Sequence, residues 1–245
     1  MIRAIEGTIE RRLLINYRVD PSVAASLLPA PFEPVLVGGV AVAGICLIQL
    51  RVRPQGLPQA VGVRSLSAAH RIAVTGPAGA HAVYIPRRDT TSRLARAVSG
   101  RFFPGHQHLA QGSLRDHHGH LHAELASYDG STRIAIDATR ATALPASSIF
   151  HSLDQASAFF HEGATGYSDR DTGGGFDSIE FETNAWMIEP IDIGHVESSF
   201  FSNTQRFPAG SAELDNALLM ADIPHRWIAR EGLRHPAPGP QDAPY

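Results

Sequence analysis

The sequence predicts a β-rich α+β fold in which an antiparallel sheet closes into a cone-like barrel with a few peripheral helices. Many short segments alternate between apolar and polar residues or are rich in β-branched residues, whereas only three segments have helical spacing. Closure is the economical arrangement for many short strands, because it leaves no open edges and creates an interior that can hold a small ligand.

Predicted strands occur along most of the chain. Alternation and β-branched content place them near Arg12–Arg18, Pro34–Val37, Val40–Arg53, Ser67–Val74, Ala82–Pro86, Gln107–Arg115, His120–Tyr128, Arg133–Thr139, Ile179–Met187, Ile191–Phe200 and Leu218–Ala221. The turn-forming run from Asp171 to Gly175 separates the later strands from the rest.

Three helices are predicted between these strands. The first begins after Asp20, a helix cap that is followed by proline in the first turn. The second is capped by Asp89 and ends at Gly100. The third covers Ser147 to His161, where apolar residues recur on one face.

Composition indicates an ordinary globular protein. The chain has 245 residues, of which 43% are hydrophobic and 18% are charged. We expect residues 1–230 to form a single domain. Residues 231–245 contain four prolines and little to bury, so we expect a disordered tail there.

Charge and hydropathy bear on partners and location. A net charge of −3 gives no basic field for nucleic acid or an anionic membrane, and no stretch approaches the length of a membrane span. The lone Cys46 lies in an apolar run and has no internal disulfide partner. We therefore expect a cytoplasmic protein with a small-molecule ligand, and a homodimer is the default oligomer.

All 21 basic residues are arginine, and the chain has no lysine. Apart from the N-terminal amine, it has no group that can form an imine with a ketone. No Gly-x-Ser-x-Gly elbow, P-loop or Rossmann glycine pattern is present, and no cofactor is expected.

Three sequence blocks, 68–74, 83–94 and 100–108, together contain five arginines and three histidines. On the predicted strand, the period of two places Ala69, Arg71 and Ala73 on one face and His70 on the other. An arginine between two alanines has room around it, which suits a carboxylate or enolate ligand. The alternative is a buried structural ion pair.

A second candidate is an anion-binding corner at Arg87 and Arg88. They immediately precede the predicted cap Asp89, so their charges would add to the positive end of the helix. Equally, Asp89 could act as both cap and ion-pair partner and fix the junction without a ligand.

A third candidate is a metal site on a predicted hairpin. Strand alternation lines up His120, His122 and Glu124 on one face, and these residue types can bind zinc or another divalent ion. The spacing is permissive, and a solvated hairpin face is the alternative.

The order of several sequence blocks resembles the acetoacetate decarboxylase-like superfamily, and in particular its YqjF-like branch. The resemblance covers most of residues 10–230. The blocks that carry it are Arg12 to Asp20, Leu27-Leu28-Pro29, Phe32-Glu33-Pro34, Ala68 to Ile72, Tyr84 to Thr90, Gly166-Tyr167-Ser168, Glu197 to Phe201 and Ala217 to Met220.

The resemblance implies a closed, cone-like barrel and decarboxylation, aldol or dehydration chemistry on small keto acids. The decarboxylases hold their Schiff-base lysine just before the segment that here runs from Arg101 to Gly105, so Ser99 or Gly100 takes roughly that place. Because this nucleophile is missing, decarboxylation through an imine is excluded.

These observations predict an enzyme in which arginines hold a carboxylate or stabilise an enolate while a histidine or tyrosine transfers protons. The predicted catalytic residues are Arg71, Tyr84, Arg101 and His106. The predicted substrate-binding residues are His70, Arg87, Arg88, Arg93, His108 and Tyr167. Two alternatives remain open: ligand binding or sensing without turnover, and metal-dependent hydrolysis by the histidine clusters.

Overall fold

The structure, a computed structural model, describes residues 3–52, 63–76, 79–100, 103–170 and 173–234. Over these ranges the chain forms a 13-stranded sheet and three short helices. The predicted β-rich fold class is therefore confirmed. None of the described helices has the length and apolar character needed to cross a membrane.

The elements follow one another in an order that begins and ends with a long strand. The helices are α1 (Pro21–Ser26), α2 (Arg93–Val98) and α3 (Leu153–Glu162). The strands are β1 (Ala4–Val19), β2 (Glu33–Pro34), β3 (Leu36–Val37), β4 (Val40–Val52), β5 (Val63–Thr75), β6 (His81–Thr90), β7 (His108–His117), β8 (His120–Ser127), β9 (Arg133–Arg140), β10 (Thr165–Asp169), β11 (Gly175–Glu182), β12 (Glu189–Ser198) and β13 (Ala212–Arg234).

Two additional strand pairings close the sheet on itself. Its main order is β11-β10-β6-β7-β8-β9-β12-β13-β1-β4-β5-β2, and further pairings join β11 to β13 and β6 to β5. Most pairings are antiparallel, but β6 pairs in parallel with both β10 and β7, over two residue pairs each. The strands β13, β1, β4 and β5 are thus among those shared by two closed circuits.

The shared strands bury both of their faces. On one face, Leu13 and Ile72 belong to a large apolar cluster, which we call the main core. On the other face, Leu14 and Cys46 pack with Phe160 of α3 in a second cluster, which we call the helix-side core. Because successive side chains of a strand point to opposite faces, adjacent residues contribute to different cores.

The helices begin where short polar side chains accept backbone hydrogen bonds. Asp20 accepts from the amides of Ser22 and Val23 at the start of α1, as predicted. The third helix is shorter than predicted, because Ser152 caps it and the helix begins at Leu153 rather than near Ser147.

The prediction that Asp89 caps the second helix is wrong. Strand β6 continues to Thr90, and the side chain of Ser92 caps α2 by accepting from the amide of Ala95. The Asp89 carboxylate accepts hydrogen bonds from Arg87 instead. A carboxylate inside the sheet and bound to a guanidinium is no longer available to a helix end.

The C-terminal strand is much longer than predicted. It spans Ala212–Arg234 and so includes 231–234, which we predicted to be part of a disordered tail; Leu233 and Arg234 pair with β11, and Leu233 packs on the main core. The rest of that predicted tail, 235–245, lies outside the described residues. Strand β10 was also missed, because the segment Gly166-Tyr167-Ser168 lacks an apolar alternation.

Candidate anion-binding site

A cavity of about 1470 Å³ opens between the first residues of β1, the end of α3, the end of β11 and the middle of β13. Phe181 and His225 form part of its lining. Both residues contact or face Arg12, which lies on the helix-side face of β1. Arg12 does not itself line the cavity, but it contacts Phe181 of the lining.

Arg12 is held by aromatic rings and sulfur atoms. Its guanidinium carbon lies 4.9 Å from the ring centre of Phe181 and 6.0 Å from that of Trp186. Its Nε donates to Cys46 Sγ at 3.2 Å and its Nη1 to Met220 Sδ at 3.7 Å. Arg12 makes no ion pair with any carboxylate in the part of the chain that the structure describes, so its charge is not neutralised there.

Arg71 is a second guanidinium on this face, and it is only 6% exposed. Its Nη2 donates to Asn16 Oδ1 at 2.5 Å, and its guanidinium carbon lies 4.8 Å from the ring centre of Phe160. Its Nε has no hydrogen-bond partner, and within the described ranges no carboxylate forms an ion pair with it. Burial lowers the pKa of Arg71 to about 10; nearby Cys46 opposes this shift and Arg12 adds to it.

Asn16 is oriented toward Arg71 by a buried amide chain. Its Nδ2 donates to Asn216 Oδ1 at 2.7 Å, which leaves its oxygen for Arg71. Asn216 in turn donates to Asp215 Oδ2 at 2.5 Å. Gly44 makes room for this arrangement, because a Cβ there would lie 2.4 Å from the Ile15 carbonyl oxygen and 3.3 Å from Asn16 Oδ1.

Free space beside Arg71 is small. A second cavity of about 10 Å³ is lined by Arg71, Phe160 and Val83, among others. This volume is about that of one water-sized probe. A ligand group larger than a single oxygen atom would have to reach Arg71 by displacing part of α3.

His225 supplies a titratable ring at the cavity wall. It is 5% exposed, and its ring centre lies 4.4 Å from Trp227 and 6.0 Å from Phe181. Burial lowers the pKa of His225 to about 4, the charge of Arg12 adds to the effect, and the backbone of Gly7 opposes it. The imidazole is therefore neutral near pH 7, and both of its nitrogens are buried.

Cys46 lies between the two guanidinium groups, since it accepts from Arg12 and interacts electrostatically with Arg71. The order from the cavity inward is thus His225, Arg12, Cys46 and Arg71. A positive charge without a carboxylate partner among the described residues suits a small anion, and a planar guanidinium suits a carboxylate in particular.

Several predicted site residues lie on the opposite, main-core face. Tyr84 packs near Phe32 and donates its hydroxyl to Asp169 Oδ2 at 2.8 Å; burial, and then Asp169, raise its pKa. Tyr167 is buried 5.2 Å from Phe32, measured between ring centres. Tyr84 and Arg71 therefore do not share one pocket.

Arg87, which we predicted to lie at an anion-binding corner, lies in an ion-pair cluster. Arg87 Nη2 lies 2.7 Å from Asp89 Oδ1 and 2.9 Å from Asp129 Oδ2. His108 Nδ1 lies 3.3 Å from Asp129 Oδ2. The charge of Arg87 is met by protein carboxylates, which is the alternative interpretation of this segment.

His70 is a buried ring in the main core. It is 1% exposed and stacks on Phe200 with ring centres 4.4 Å apart. Burial lowers its pKa to about 3, and Arg87 and Arg206 lower it further. Its packing against phenylalanine is that of a neutral aromatic core residue.

Arg88 lies on the same side of the sheet as Ala69, its partner in the register. Its Nη1 donates to Ser168 Oγ at 3.0 Å, and a Cβ at Gly105 would lie 1.6 Å from that nitrogen. Burial lowers the pKa of Arg88 to about 10, while Asp177 opposes the shift. Arg88 stays a predicted substrate-binding residue.

The remaining predicted site residues are close to α2 in the sequence. Arg93 is exposed on the first turn of this helix. His106 lies with its ring 4.8 Å from that of His108, and Arg101 lies outside the described residues. Ser99 is buried, donates to the Arg96 carbonyl and accepts from the Gln107 amide, so its hydroxyl ties the loop together.

Comparison with known proteins identifies the family. The DUF2071 family, described as an uncharacterized conserved protein, matches residues 7–222. The chain belongs to the DUF2071 family. The resemblance to the acetoacetate decarboxylase-like superfamily holds at the level of the fold, as the structural similarities below show. None of the curated proteins compared with this DUF2071 chain matches it.

Solved structures share the fold of this DUF2071 protein at low sequence identity. An acetoacetate decarboxylase-like enzyme from Sphingomonas wittichii has a TM-score of 0.60 and 14% identity, with 96% of this chain and 94% of that chain covered. An acetoacetate decarboxylase from Legionella pneumophila has a TM-score of 0.55 and 11% identity, with 95% of this chain and 87% of that chain covered. The enduracididine biosynthesis enzyme MppR complexed with pyruvate has a TM-score of 0.57 and 11% identity, with 95% of this chain and 90% of that chain covered.

The predicted metal triad of this DUF2071 protein is not assembled. His120, His122 and Glu124 are all exposed on β8, and His122 Nδ1 lies 2.6 Å from Asp137 Oδ1. His122 Nε2 lies 3.6 Å from Glu124 Oε1. No group of three or more metal-ligating side chains is placed to hold an ion within the described ranges. This hairpin face fits the alternative, a solvated surface.

Three residues of the candidate site were not predicted from the sequence: Arg12, Cys46 and His225. Arg12 was visible as a cation at the start of an apolar strand, but nothing in the sequence indicates which strand faces it. Cys46 was assigned to the core, where it does lie. His225 falls in a stretch that alternates imperfectly, and its segment was not predicted to be a strand.

Proposed function

We propose that this DUF2071 protein is a small-molecule enzyme that acts on a carboxylate-bearing carbonyl compound without forming an imine. In this proposal Arg12 and Arg71 bind the carboxylate or stabilise a developing enolate, in a lyase, isomerase or cyclase type of reaction. The supporting observation is that Arg71 is almost fully buried, yet meets no carboxylate and keeps Nε unpartnered among the described residues.

The energetic argument concerns uncompensated charge. A buried cation that lacks an anionic partner is unfavourable unless another group compensates it. Arg71 has only a neutral amide and an aromatic ring as direct partners, and its neighbour Arg12 adds a second positive charge. An anionic ligand would supply the missing charge, and the low local polarity would strengthen that interaction.

The proposed proton transfer uses His225. A neutral imidazole takes a proton from the carbon next to the ligand carbonyl, and the electron pair of that C–H bond becomes an enolate facing the guanidinium groups. The proton then returns to the same carbon, to another carbon or to a leaving group, so no further reactant is needed. Preorganised donors of this kind contribute about 3–4 kcal/mol to such a step.

This assignment departs from the residues expected from the sequence. Tyr84 is bound to Asp169 on the opposite face of the sheet, so we assign the proton transfer to His225 rather than to Tyr84 or His106. The chain has no lysine, which excludes a side-chain imine. A structural neighbour, MppR, has been described in complex with pyruvate, and a small keto acid is consistent with the arginine pair.

Enolisation can be tested without knowing the natural substrate. We expect the wild-type protein to accelerate exchange of the pyruvate methyl protons in D₂O, measured as loss of the methyl signal by ¹H NMR. Arg71→Met should reduce this rate at least about 100-fold, because it removes a donor to the developing charge. His225→Phe should reduce the rate with little change in pyruvate binding.

Arg115→Met provides the matched control, because Arg115 is exposed on β7, away from the cavity. It should keep the wild-type exchange rate. The proposal is contradicted if Arg71→Met and Arg115→Met exchange pyruvate protons equally fast while both remain folded by circular dichroism.

Ligand binding without turnover is the second candidate. The small volume beside Arg71 favours it, since a ligand that reaches this arginine must displace α3, and such a movement could report binding. Pyruvate binding that is lost in Arg71→Met, with no exchange by the wild-type protein, would support this candidate over the enzyme.

A further inference from the structure

Asp215 lies at the far end of the buried side chains that lead to Arg71, and it is only 4% exposed. Its Oδ1 accepts from the backbone amide of Ile149 at 2.9 Å. Its Oδ2 accepts from Ser148 Oγ at 2.8 Å and from Asn216 Nδ2 at 2.5 Å. Both carboxylate oxygens are therefore occupied as acceptors.

A carboxylate can only accept hydrogen bonds, and this property sets the direction of the side chains between Asp215 and Arg71. Asn216 turns its Nδ2 toward Asp215, which leaves its Oδ1 to accept from Asn16 Nδ2 at 2.7 Å. Asn16 Nδ2 also donates to the Leu14 carbonyl at 3.4 Å, so Asn16 Oδ1 faces Arg71. We call Asp215, Asn216 and Asn16 the polar chain.

Burial makes the direction of the polar chain costly to reverse. Asn16 is 0% exposed and Asn216 is 2% exposed, so a hydrogen bond lost here is not readily replaced by water. Arg18 Nη1 lies 3.8 Å from Asp215 Oδ1, so the carboxylate has a cation at its own end. Arg71 thus receives a neutral oxygen, and the negative charge stays two amide groups away.

We infer that Asp215 is a positioning residue for Arg71. Through the polar chain it holds a neutral oxygen against the guanidinium and leaves the positive charge for a ligand. A carboxylate in direct contact would neutralise the arginine, as Asp89 does for Arg87. This inference deepens the proposed function, and it rests on that function for the identity of the ligand.

Asp215→Asn should reverse the polar chain. The Ile149 amide can only donate, so the new side chain keeps its oxygen there and turns its NH₂ group toward Asn216. Asn216 and Asn16 then turn over in sequence, and an NH₂ group faces Arg71. Because this opposes two donors, urea unfolding should show an equilibrium constant of unfolding at least about tenfold higher than that of the wild type.

Adding Asn16→Asp should rescue Asp215→Asn, although Asn216 separates the two positions. In the double variant the carboxylate stands at the other end, accepts from Arg71 and from Asn216, and every donor again meets an acceptor. The equilibrium constant of unfolding should return to within about threefold of the wild-type value. Loss of the weak contact with the Leu14 carbonyl keeps the rescue incomplete.

Ser148→Ala is the matched control for the rescue. It removes one donor from Asp215 Oδ2 but keeps the carboxylate, so the direction of the polar chain is unchanged. Adding Asn16→Asp to Ser148→Ala should give no rescue, because two carboxylates would then compete for the one NH₂ group of Asn216.

The urea measurements overturn the inference in any of four cases. These are unchanged stability of Asp215→Asn, no rescue of it by Asn16→Asp, equal rescue of Ser148→Ala, and failure of the double variant to fold. A merely structural role of Asp215 gives no rescue from a position that does not bond to it directly.

Pyruvate binding, measured by calorimetry, separates this inference from the proposed function. The double variant should bind pyruvate at least about tenfold more weakly than the wild type despite its restored stability, because the new carboxylate neutralises Arg71. Asp192→Asn makes the same chemical change at an exposed position of β12 and should bind pyruvate as the wild type does.

The two proposals fail in different ways. Pyruvate binding by the double variant as tight as that of the wild type would overturn the inference that the polar chain preserves the charge of Arg71. If the urea results are as expected but the wild type does not bind pyruvate at millimolar concentration, the proposed function fails and the positioning of Arg71 by Asp215 stands.

Discussion

Two arginines of neighbouring strands illustrate opposite ways to bury a cation. Arg87 faces the main core and lies 2.7 Å from Asp89 and 2.9 Å from Asp129. Arg71 faces the helix-side core and has an amide, a phenyl ring and an unpartnered Nε. The charge of Arg87 is neutralised by protein carboxylates. The charge of Arg71 has no carboxylate partner among the described residues, and an anionic ligand could neutralise it.

The comparison shows why sequence position alone does not separate the two roles. Arg71 and Arg87 lie on the adjacent strands β5 and β6, and both side chains are largely buried. Their difference depends on the carboxylates that face them, and Asp129 comes from the turn after β8. The predictions below test whether the two faces do differ in this way.

The largest effect should appear in the pH dependence of stability. Burial lowers the pKa of His70 to about 3 and that of His225 to about 4, from an ordinary value of 6.5. The unfolded chain therefore binds protons at a pH where the folded chain does not. The stability contributed by the neutral rings is complete above pH 6.5 and is lost as pH falls through the lower values.

Urea unfolding at pH 7, 5 and 3 would measure this loss. His70→Phe should remove up to roughly 4 kcal/mol of the acid-induced loss and His225→Phe up to roughly 3 kcal/mol. His70 should have the greater effect because its ring lies deeper in the main core. An unchanged pH slope in both variants would show that neither ring is held neutral by burial.

A second test removes a carboxylate from the main-core face. Asp89→Ala should lower the free energy of unfolding by about 3 kcal/mol, because it leaves Arg87 largely buried with only its outer partner. Asp129→Ala should cost less, about 1 kcal/mol, since Asp129 is partly exposed. Equal losses in urea unfolding would mean that Arg87 does not depend on its buried partner.

Gly44 tests the packing beneath Arg71. Gly44→Ala should lower the free energy of unfolding by about 2 kcal/mol, because the added Cβ would meet the Ile15 carbonyl oxygen at 2.4 Å in a central strand. Gly194→Ala is the control, since the nearest atom to its Cβ would be 3.7 Å away. Similar unfolding midpoints for the two variants would contradict the close approach at Gly44.

The smallest effect is expected from Arg71 itself. Arg71→Met should change the free energy of unfolding by less than about 1 kcal/mol, because removal of a buried charge without a described carboxylate partner offsets the loss of the hydrogen bond to Asn16 Oδ1. Arg87→Met should cost about 3 kcal/mol, because it leaves Asp89 as an unpaired buried carboxylate. If the two substitutions destabilise the protein equally, the contrast between the faces is wrong.

The sequence predicted the face of Arg71 because that inference needs only the period of a strand. Ala69 and Ala73 do pack in the helix-side core beside Arg71, and Ile72 lies in the main core. Most strand centres were also predicted, since alternation is a local signal. The β-rich fold class was predicted from the number of such segments and from the family resemblance.

The sequence could not predict which side chains meet across the sheet. Arg12 and Met220 are 208 positions apart and meet because β1 pairs with β13. Asp89 looked like a helix cap because its local context fits one, but its role is decided by Arg87 in the folded sheet. Register and long-range pairing determine the candidate site, and neither is encoded in a short window of residues.

Successive side chains of strand β5 point alternately toward the main core and the helix-side core. His70 stacks on Phe200 in one direction, and Arg71 reaches Asn16 in the other. A single-residue deletion within β5 would exchange these directions along the strand, sending a cation among phenylalanines and an imidazole toward α3. We therefore expect natural variation in this segment to proceed by substitution, with insertions and deletions confined to the connecting loops.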